Sequence, residues 1–397
     1  MRRLVLLASA IVLVETVFFS ALAPLLPHYE AQFDLSKQEA GILTAVYPLG
    51  AVVGAIPSGA FTARVGVKIA SILGLVIMLV ASVVFGFADS IWLLNVARFC
   101  QGIGSALAWT GALAWLIAGS PQERRGELIG YAMGAAIAGA LLGPVLGWIA
   151  TEVGTGPAFT GVAVAAVFLA GWAATVPATK PGKPQRLREV RRALHEPTVL
   201  EGVWLVSLAA VLLGVVSVLG PLRLDDLGWS ALAISICFLV SAGIEAVLSP
   251  FQGRWSDRRG PAAPVRFGLV ASIAVSIALV LVDHRSAFLV LLVAAGISYG
   301  FFWVPGTAVL SNGTERAGLD LAFGVMILNL AWAPGDVVGA ALGGILGQAA
   351  GDGTVYLLVA GICMVTLLGS GRLVRRPPPR TRGQADAASP APSGPGG

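Results

Sequence analysis

The sequence predicts an all-α integral membrane protein with twelve transmembrane helices in two pseudo-symmetric six-helix halves, and three observations predict it. Hydrophobic residues make up 56% of the 397 and charged residues only 12%, with a mean hydropathy of +0.84; soluble domains carry about a quarter charged. Apolar stretches of bilayer-spanning length, roughly 20 residues each, recur twelve times along the chain. Two unrelated motifs then repeat at nearly one offset: Gly59, Arg64 and Gly66 return as Gly253, Arg258 and Gly260, shifted by 194, and Gly139, Gly143 and Gly147 return as Gly335, Gly339 and Gly343, shifted by 196. A period this long excludes solenoid repeats of about 20 to 50 residues. It marks a duplicated unit.

The spans are expected near residues 4–23, 40–60, 68–88, 91–117, 127–150, 157–177, 199–220, 231–251, 265–282, 287–310, 320–346 and 354–371. The first is read as a retained span rather than a cleaved leader, because Glu15 interrupts it and no small-residue cleavage site precedes Pro24 and Pro27. With both ends cytoplasmic, 22 Lys and Arg fall on that side and three on the other, leaving Arg98 inside a span. The positive-inside rule therefore fixes the orientation. The halves are expected at 1–177 and 199–372, joined by a basic linker at 178–198 with a short amphipathic helix from Leu187 to Leu194, and followed by a Pro- and Gly-rich disordered tail at 373–397.

Other classes find no support. Cys100, Cys237 and Cys363 have no Cys or His neighbour at ligand spacing, so no metal and no disulfide is expected. His28, His195 and His284 lie far apart in predicted connections, and no phosphate-cradling loop appears, so neither an enzyme nor a cofactor is expected. The basic residues follow topology instead of clustering on one soluble surface, which argues against nucleic acid. The partners expected are the lipid bilayer, a small-molecule substrate and protons, with the chain acting as a monomer. Arg far outnumbers Lys, a usage that fits a GC-rich bacterial genome and a bacterial cell membrane.

Six spans, a basic joint and six related spans, with a Gly-x-x-x-(Asp)-Arg-x-Gly turn after spans two and eight, resemble the major facilitator superfamily over the whole chain except the tail. The resemblance implies that the turns are cytoplasmic gates: Gly59, Arg64 and Gly66 in the first, Gly253, Asp257, Arg258 and Gly260 in the second. The first copy departs from the pattern, with Ala63 where the family has Asp. The fifth span, carrying Gly130, Gly139, Gly143, Pro144 and Gly147, is similar to the family's antiporter motif. Physically, glycines one turn apart let helix backbones approach closely. The same stretch is also an ordinary small-residue packing face. In the fourth span Arg98, Gln101, Gly102, Gly104 and Ser105 are similar to the family signature, and the resemblance implies that Arg98 modulates proton release from a nearby carboxyl.

Three carboxyls sit near span centres: Glu15, Glu245 and Asp336. An ionised carboxyl facing lipid costs a few kcal/mol, so such groups face protein or water, or stay protonated. Burial disfavours the ionised form and a nearby cation favours it, so one carboxyl can bind and release a proton as access alternates. Pro334 and Gly335 could instead open a helix break that Asp336 caps. Aromatic and polar residues on spans 2, 4, 10 and 11, namely Tyr47, Gln101, Trp109, Tyr299, Trp303 and Asn329, are the candidates for the substrate cavity. Aromatic faces with carboxyls suit lipophilic or cationic organic molecules. The resulting expectation is a proton-coupled antiporter for efflux of small organic, drug-like compounds, of the multidrug-resistance kind. The alternatives are a metabolite importer on the same fold and a non-transporting receptor or scaffold.

Overall fold

A computed structural model describes residues 2–121, 124–178, 192–319 and 321–370. Most of the expected linker and the whole expected tail lie outside the described residues. The described residues form thirteen helices and no strand: α1 (Arg2–Ser20), α2 (Leu22–Phe33), α3 (Lys37–Val65), α4 (Val67–Gly86), α5 (Ile91–Ala118), α6 (Arg125–Val153), α7 (Thr155–Thr175), α8 (Pro197–Asp226), α9 (Ala231–Arg259), α10 (Ala262–Leu281), α11 (Arg285–Arg316), α12 (Leu321–Ala350) and α13 (Asp352–Gly369). α1 and α2 together make the first span, and eleven spans pass on length and hydropathy. The twelfth is α3, whose arms Lys37–Ala55 and Pro57–Val65 meet at a 48° bend. Pro57 explains it, since proline has no N–H for the Val53 carbonyl and its ring crowds that oxygen.

Several helices outrun the lengths read from hydropathy, with α9 and α11 each extending a turn or two past the apolar core at the end that carries Arg64, Arg258 and Arg316, here called the basic end. The first span also continues through both prolines to Phe33. Its break falls at Ala21, beside the carbonyl of Ser20 that Pro24 cannot satisfy. Pro27 is not the cause: its counterpart at an offset of 194, Pro221, sits inside an unbroken α8.

The duplication is visible in the packing. α6 lies on α1 and α2, and α12 lies on α8. A Cβ at Gly139 would come 2.5 Å from the Leu13 carbonyl oxygen and one at Gly147 2.7 Å from Pro24 Cγ, while one at Gly143 would strike Ser20. In the other half a Cβ at Gly335 would come 2.5 Å from the Ser207 carbonyl oxygen, and one at Gly339 would strike Val211. Only glycine permits this approach. Equivalent helix ends are also tied by a cation in each half, though not at the same offset. Lys68, at the start of α4, donates to the Ala174 and Val176 carbonyls at the end of α7 (2.6 and 2.9 Å), and Arg266, near the start of α10, donates to Ser370 just after α13 (3.2 Å).

The halves join mainly along α3 against α12, with α6 against α9 as the lesser, symmetry-related seam. At the end opposite the basic one, Gly41 and Gly344 bring α3 and α12 together so closely that a Cβ at Gly41 would lie 2.9 Å from Gly344 Cα. Beside them Lys37 Nζ bridges to both Asp352 oxygens (2.8 and 2.9 Å), and its backbone N–H donates to Gln348 (3.1 Å). Among the described residues, every hydrogen bond and ion pair joining the halves is made by Lys37. At the basic end Gly59, Gly130 and Gly253 face open space. Among the described residues, the polar links between the halves all lie at the end opposite the basic one.

Candidate functional site

The most developed polar centre lies at mid-bundle on α1, α3 and α5. Glu15 is buried on α1, only 8% exposed. Its Oε1 accepts from the Tyr47 hydroxyl of α3 (2.9 Å) and from the Ser105 hydroxyl of α5. Its Oε2 lies 3.2 Å from Thr16 Oγ1. The single Thr16 proton has a nearer acceptor in the Val12 carbonyl (2.9 Å), which leaves the Thr16 oxygen free to accept. The carboxyl is thus housed in both forms: ionised, it takes two hydroxyl donors; protonated on Oε2, it donates to Thr16.

Arg98, on α5, is 1% exposed, so it does not reach out to the membrane surface. Its Nη1 donates to the Phe18 carbonyl (3.1 Å) and to Gln101 (3.0 Å), and the Gln101 amide donates to Ser82 (3.0 Å). The guanidinium carbon sits 4.6 Å from the centre of the Tyr47 ring and 5.6 Å from that of Phe85. Cation–π contact therefore links Arg98 to the same tyrosine that holds Glu15. Arg98 Nε has no hydrogen-bond partner among the described residues.

The other half contributes Asp336, 2% exposed on α12 and within electrostatic range of Arg98. Its Oδ2 has no hydrogen-bond partner among the described residues. α12 runs helical through Pro334 and Gly335, so Asp336 caps no break there. The small Gly214 of α8 makes room for it, since a Cβ at that position would lie 3.1 Å from Asp336 Oδ1. One turn earlier, Trp332 meets Phe19 edge-on across the seam (5.1 Å), and Phe19 leans on Tyr47 (5.4 Å).

Phe19 and Trp332 were not among the expected cavity residues. The signal was present in the spacing, because each sits four residues from a mid-span acid, Phe19 after Glu15 and Trp332 before Asp336, and so shares its helix face. Ser82 carried no such signal.

The structure sets the remaining candidates apart from this centre. Glu245 is half-buried on α9, where Gln252 donates to its carboxyl (3.2 Å), Ser249 Oγ lies 3.3 Å from it with its proton directed to the Glu245 carbonyl (2.8 Å), and Gly300 of α11 leaves space for it. Tyr299 is buried inside its own half beside Phe302 and within range of Tyr356 and Cys363. Trp303 packs between the two apolar clusters, Trp109 is half-buried with no partner for its indole N–H among the described residues, and Asn329 is half-buried on α12. In the turns, Gly66 and Gly260 adopt φ of +94° and +78°, conformations that favour glycine. Arg64, Asp257 and Arg258 are exposed, and among the described residues none of them forms an ion pair.

Comparison with known proteins bears on this arrangement. The family model described as Major Facilitator Superfamily matches residues 8–335. An uncharacterized MFS-type transporter, YcaD, from Escherichia coli O7:K1 is 26% identical over 379 residues, which cover 92% of this chain and 94% of that protein. Among solved structures, the xylose transporter XylE from E. coli in a partially occluded inward-open conformation is similar with a TM-score of 0.75 at 14% identity, covering 94% of this chain and 97% of that one. A bacterial homologue of the human lysosomal transporter Spinster, inward-facing and unoccupied, gives 0.70 at 16% identity, covering 94% of each chain.

Proposed function

Because this chain belongs to the Major Facilitator Superfamily, we propose that its buried carboxyl centre couples protons to the movement of a small organic compound, and that the chain is an antiporter exporting such compounds. The observation that carries this is the housing of Glu15, whose two oxygens find partners in either protonation state while the group stays shielded from solvent. Arg98 is the modulator: its charge reaches Glu15 through Tyr47 and reaches Asp336 across the seam. Asp336, Phe19 and Trp332 form the substrate-facing side, where an unpartnered carboxylate oxygen and aromatic faces suit an organic cation.

The same reading puts the basic end in the cytoplasm of a bacterial cell, which makes the Lys37–Asp352 pair a closed outer gate. Residues 1–177 and 199–372 are the rocking halves, with 178–198 as linker and 373–397 as tail. The alternative gates at Gly59, Arg64, Gly66 and at Gly253, Asp257, Arg258, Gly260 then engage when the cytoplasmic end closes. Gly130, Gly139, Gly143, Pro144 and Gly147 supply the surface on which the first span moves.

Proteoliposomes loaded with a pH-sensitive dye provide the test. An antiporter dissipates an imposed pH gradient when a panel of organic cations is added on the opposite side, and Glu15→Gln abolishes the response. Proton and compound moving in the same direction identifies a symporter instead. A response unchanged in Glu15→Gln sinks the assigned role of this carboxyl.

A further inference from the structure

A second site lies far from the carboxyl centre, at the basic end of α9. Phe251, Arg254, Trp255, Arg258 and Arg259 line a cavity of about 400 Å³. Their spacing, three and four residues at a time, puts them on one stripe of the helix. The floor is aromatic and fixed: Trp255 lies 6.2 Å from Phe251, 5.8 Å from Phe267 and 6.1 Å from Phe301, ring centre to ring centre, and Phe267 meets Phe301 at 4.8 Å. Phe251 on α9 and Phe267 on α10 are each 51% exposed. The rim carries three guanidiniums, and among the described residues no acid pairs with any of them.

We propose that this stripe binds the phosphate of an anionic phospholipid, with an acyl chain lying along Phe251 and Phe267. Three guanidiniums at the level of the headgroups match a phosphate diester through bidentate hydrogen bonds, and the exposed rings match the chain below it. A soluble phosphate would leave those rings unused. The site belongs to one half only. At the offset of 194 the corresponding residues are Pro57, Ala60, Phe61, Arg64 and Val65, so two of the three arginines and the tryptophan have no equivalent. General positive-inside bias supplies arginines at both places and does not explain that contrast.

Native mass spectrometry on the purified full-length chain decides it. One phosphatidylglycerol is expected to remain bound at concentrations where phosphatidylcholine does not, and the double variant Arg254→Gln/Arg259→Gln weakens that binding about thirtyfold. A matched variant, Arg2→Gln/Arg3→Gln, removes the same charge from the basic end without touching the cavity and is expected to bind as the parent does. Equal losses in the two variants mean a diffuse charge effect and overturn the proposal. So does undiminished binding in the first variant. Displacement of the lipid by millimolar inorganic phosphate alone assigns the cavity to a soluble anion and overturns the lipid assignment. Both variants change exposed side chains, and a symmetric gel-filtration peak confirms that each is folded before binding is read.

Discussion

The two halves share a scaffold but divide the chemistry. Glycines at matched positions press α6 onto the first span and α12 onto the seventh, and the cations Lys68 and Arg266 tie matched helix ends. The polar centre has no such twin. At the offset of 194, Glu15 corresponds to Ala209, Tyr47 to Ser241, Arg98 to Leu292, Gln101 to Ala295 and Ser105 to Tyr299. Four of those five counterparts, all but Ser241, are buried and apolar or aromatic. Duplication sets where helices touch, because backbone approach tolerates few residue types. It leaves free which buried side chains titrate.

The largest expected effect tests that division directly. Glu15→Gln keeps the shape and both hydroxyl contacts but cannot exchange a proton, so proton-coupled flux should fall on the order of 100-fold in proteoliposomes. Glu245→Gln, in the other half, should change it by less than about threefold. A comparable loss in both would mean that the chemistry is shared after all.

A second pair tests the scaffold. Gly143→Val and Gly339→Val each drive a side chain into the facing helix, at Ser20 and at the Val211 backbone, at a cost of about 1–3 kcal/mol, and thermal unfolding in detergent should show the two destabilised alike. Gly134 faces open space, so Gly134→Ala should instead be neutral or gain up to about 1 kcal/mol in helix propensity. Unequal losses at 143 and 339 would break the symmetry of the scaffold.

The smallest effect concerns the seam. Lys37→Gln removes the one ion pair that joins the halves among the described residues, leaves the backbone bond to Gln348 in place, and should shift the closed-to-open balance at that end by about 1 kcal/mol, roughly fivefold. Spin labels on α3 and α12 would report it as a broadened distance distribution.

Much of this was legible in the chain. Hydropathy and the double repeat give twelve spans and two halves, since lipid imposes length and polarity on every crossing. The burial cost of mid-span charge singled out Glu15, Glu245, Asp336 and Arg98, of which Glu245 lies apart from the rest, and two of the six cavity candidates, Tyr47 and Gln101, lie in the Glu15–Arg98 cluster. Hydropathy does not reveal how each helix is rotated. Tyr299 and Phe19 look alike as mid-span aromatics, yet one packs inside its half and the other reaches the seam. The Lys37–Asp352 bridge joins residues 315 apart that read as two unrelated loop charges. The bend at Pro57 and the break at Ala21 depend on proline chemistry that twenty-residue windows average away.

That break gives the first span the form of a lever. α1, which holds Glu15, packs mainly on helices of its own half and meets the other at Phe19 on Trp332, whereas α2 lies along α8 and α9 of the other half. The joint at Ala21 stands six residues beyond Glu15, a little under two turns of helix. A displacement of α1 would reach the opposing half by two routes, directly at Phe19 on Trp332 and, through this hinge, as a change in the angle of α2. α8, straight where the first span is jointed, provides the anvil. Pro24→Ala, which returns an N–H to the Ser20 carbonyl, would stiffen the joint and should leave proton binding at Glu15 intact while uncoupling it from movement of the halves.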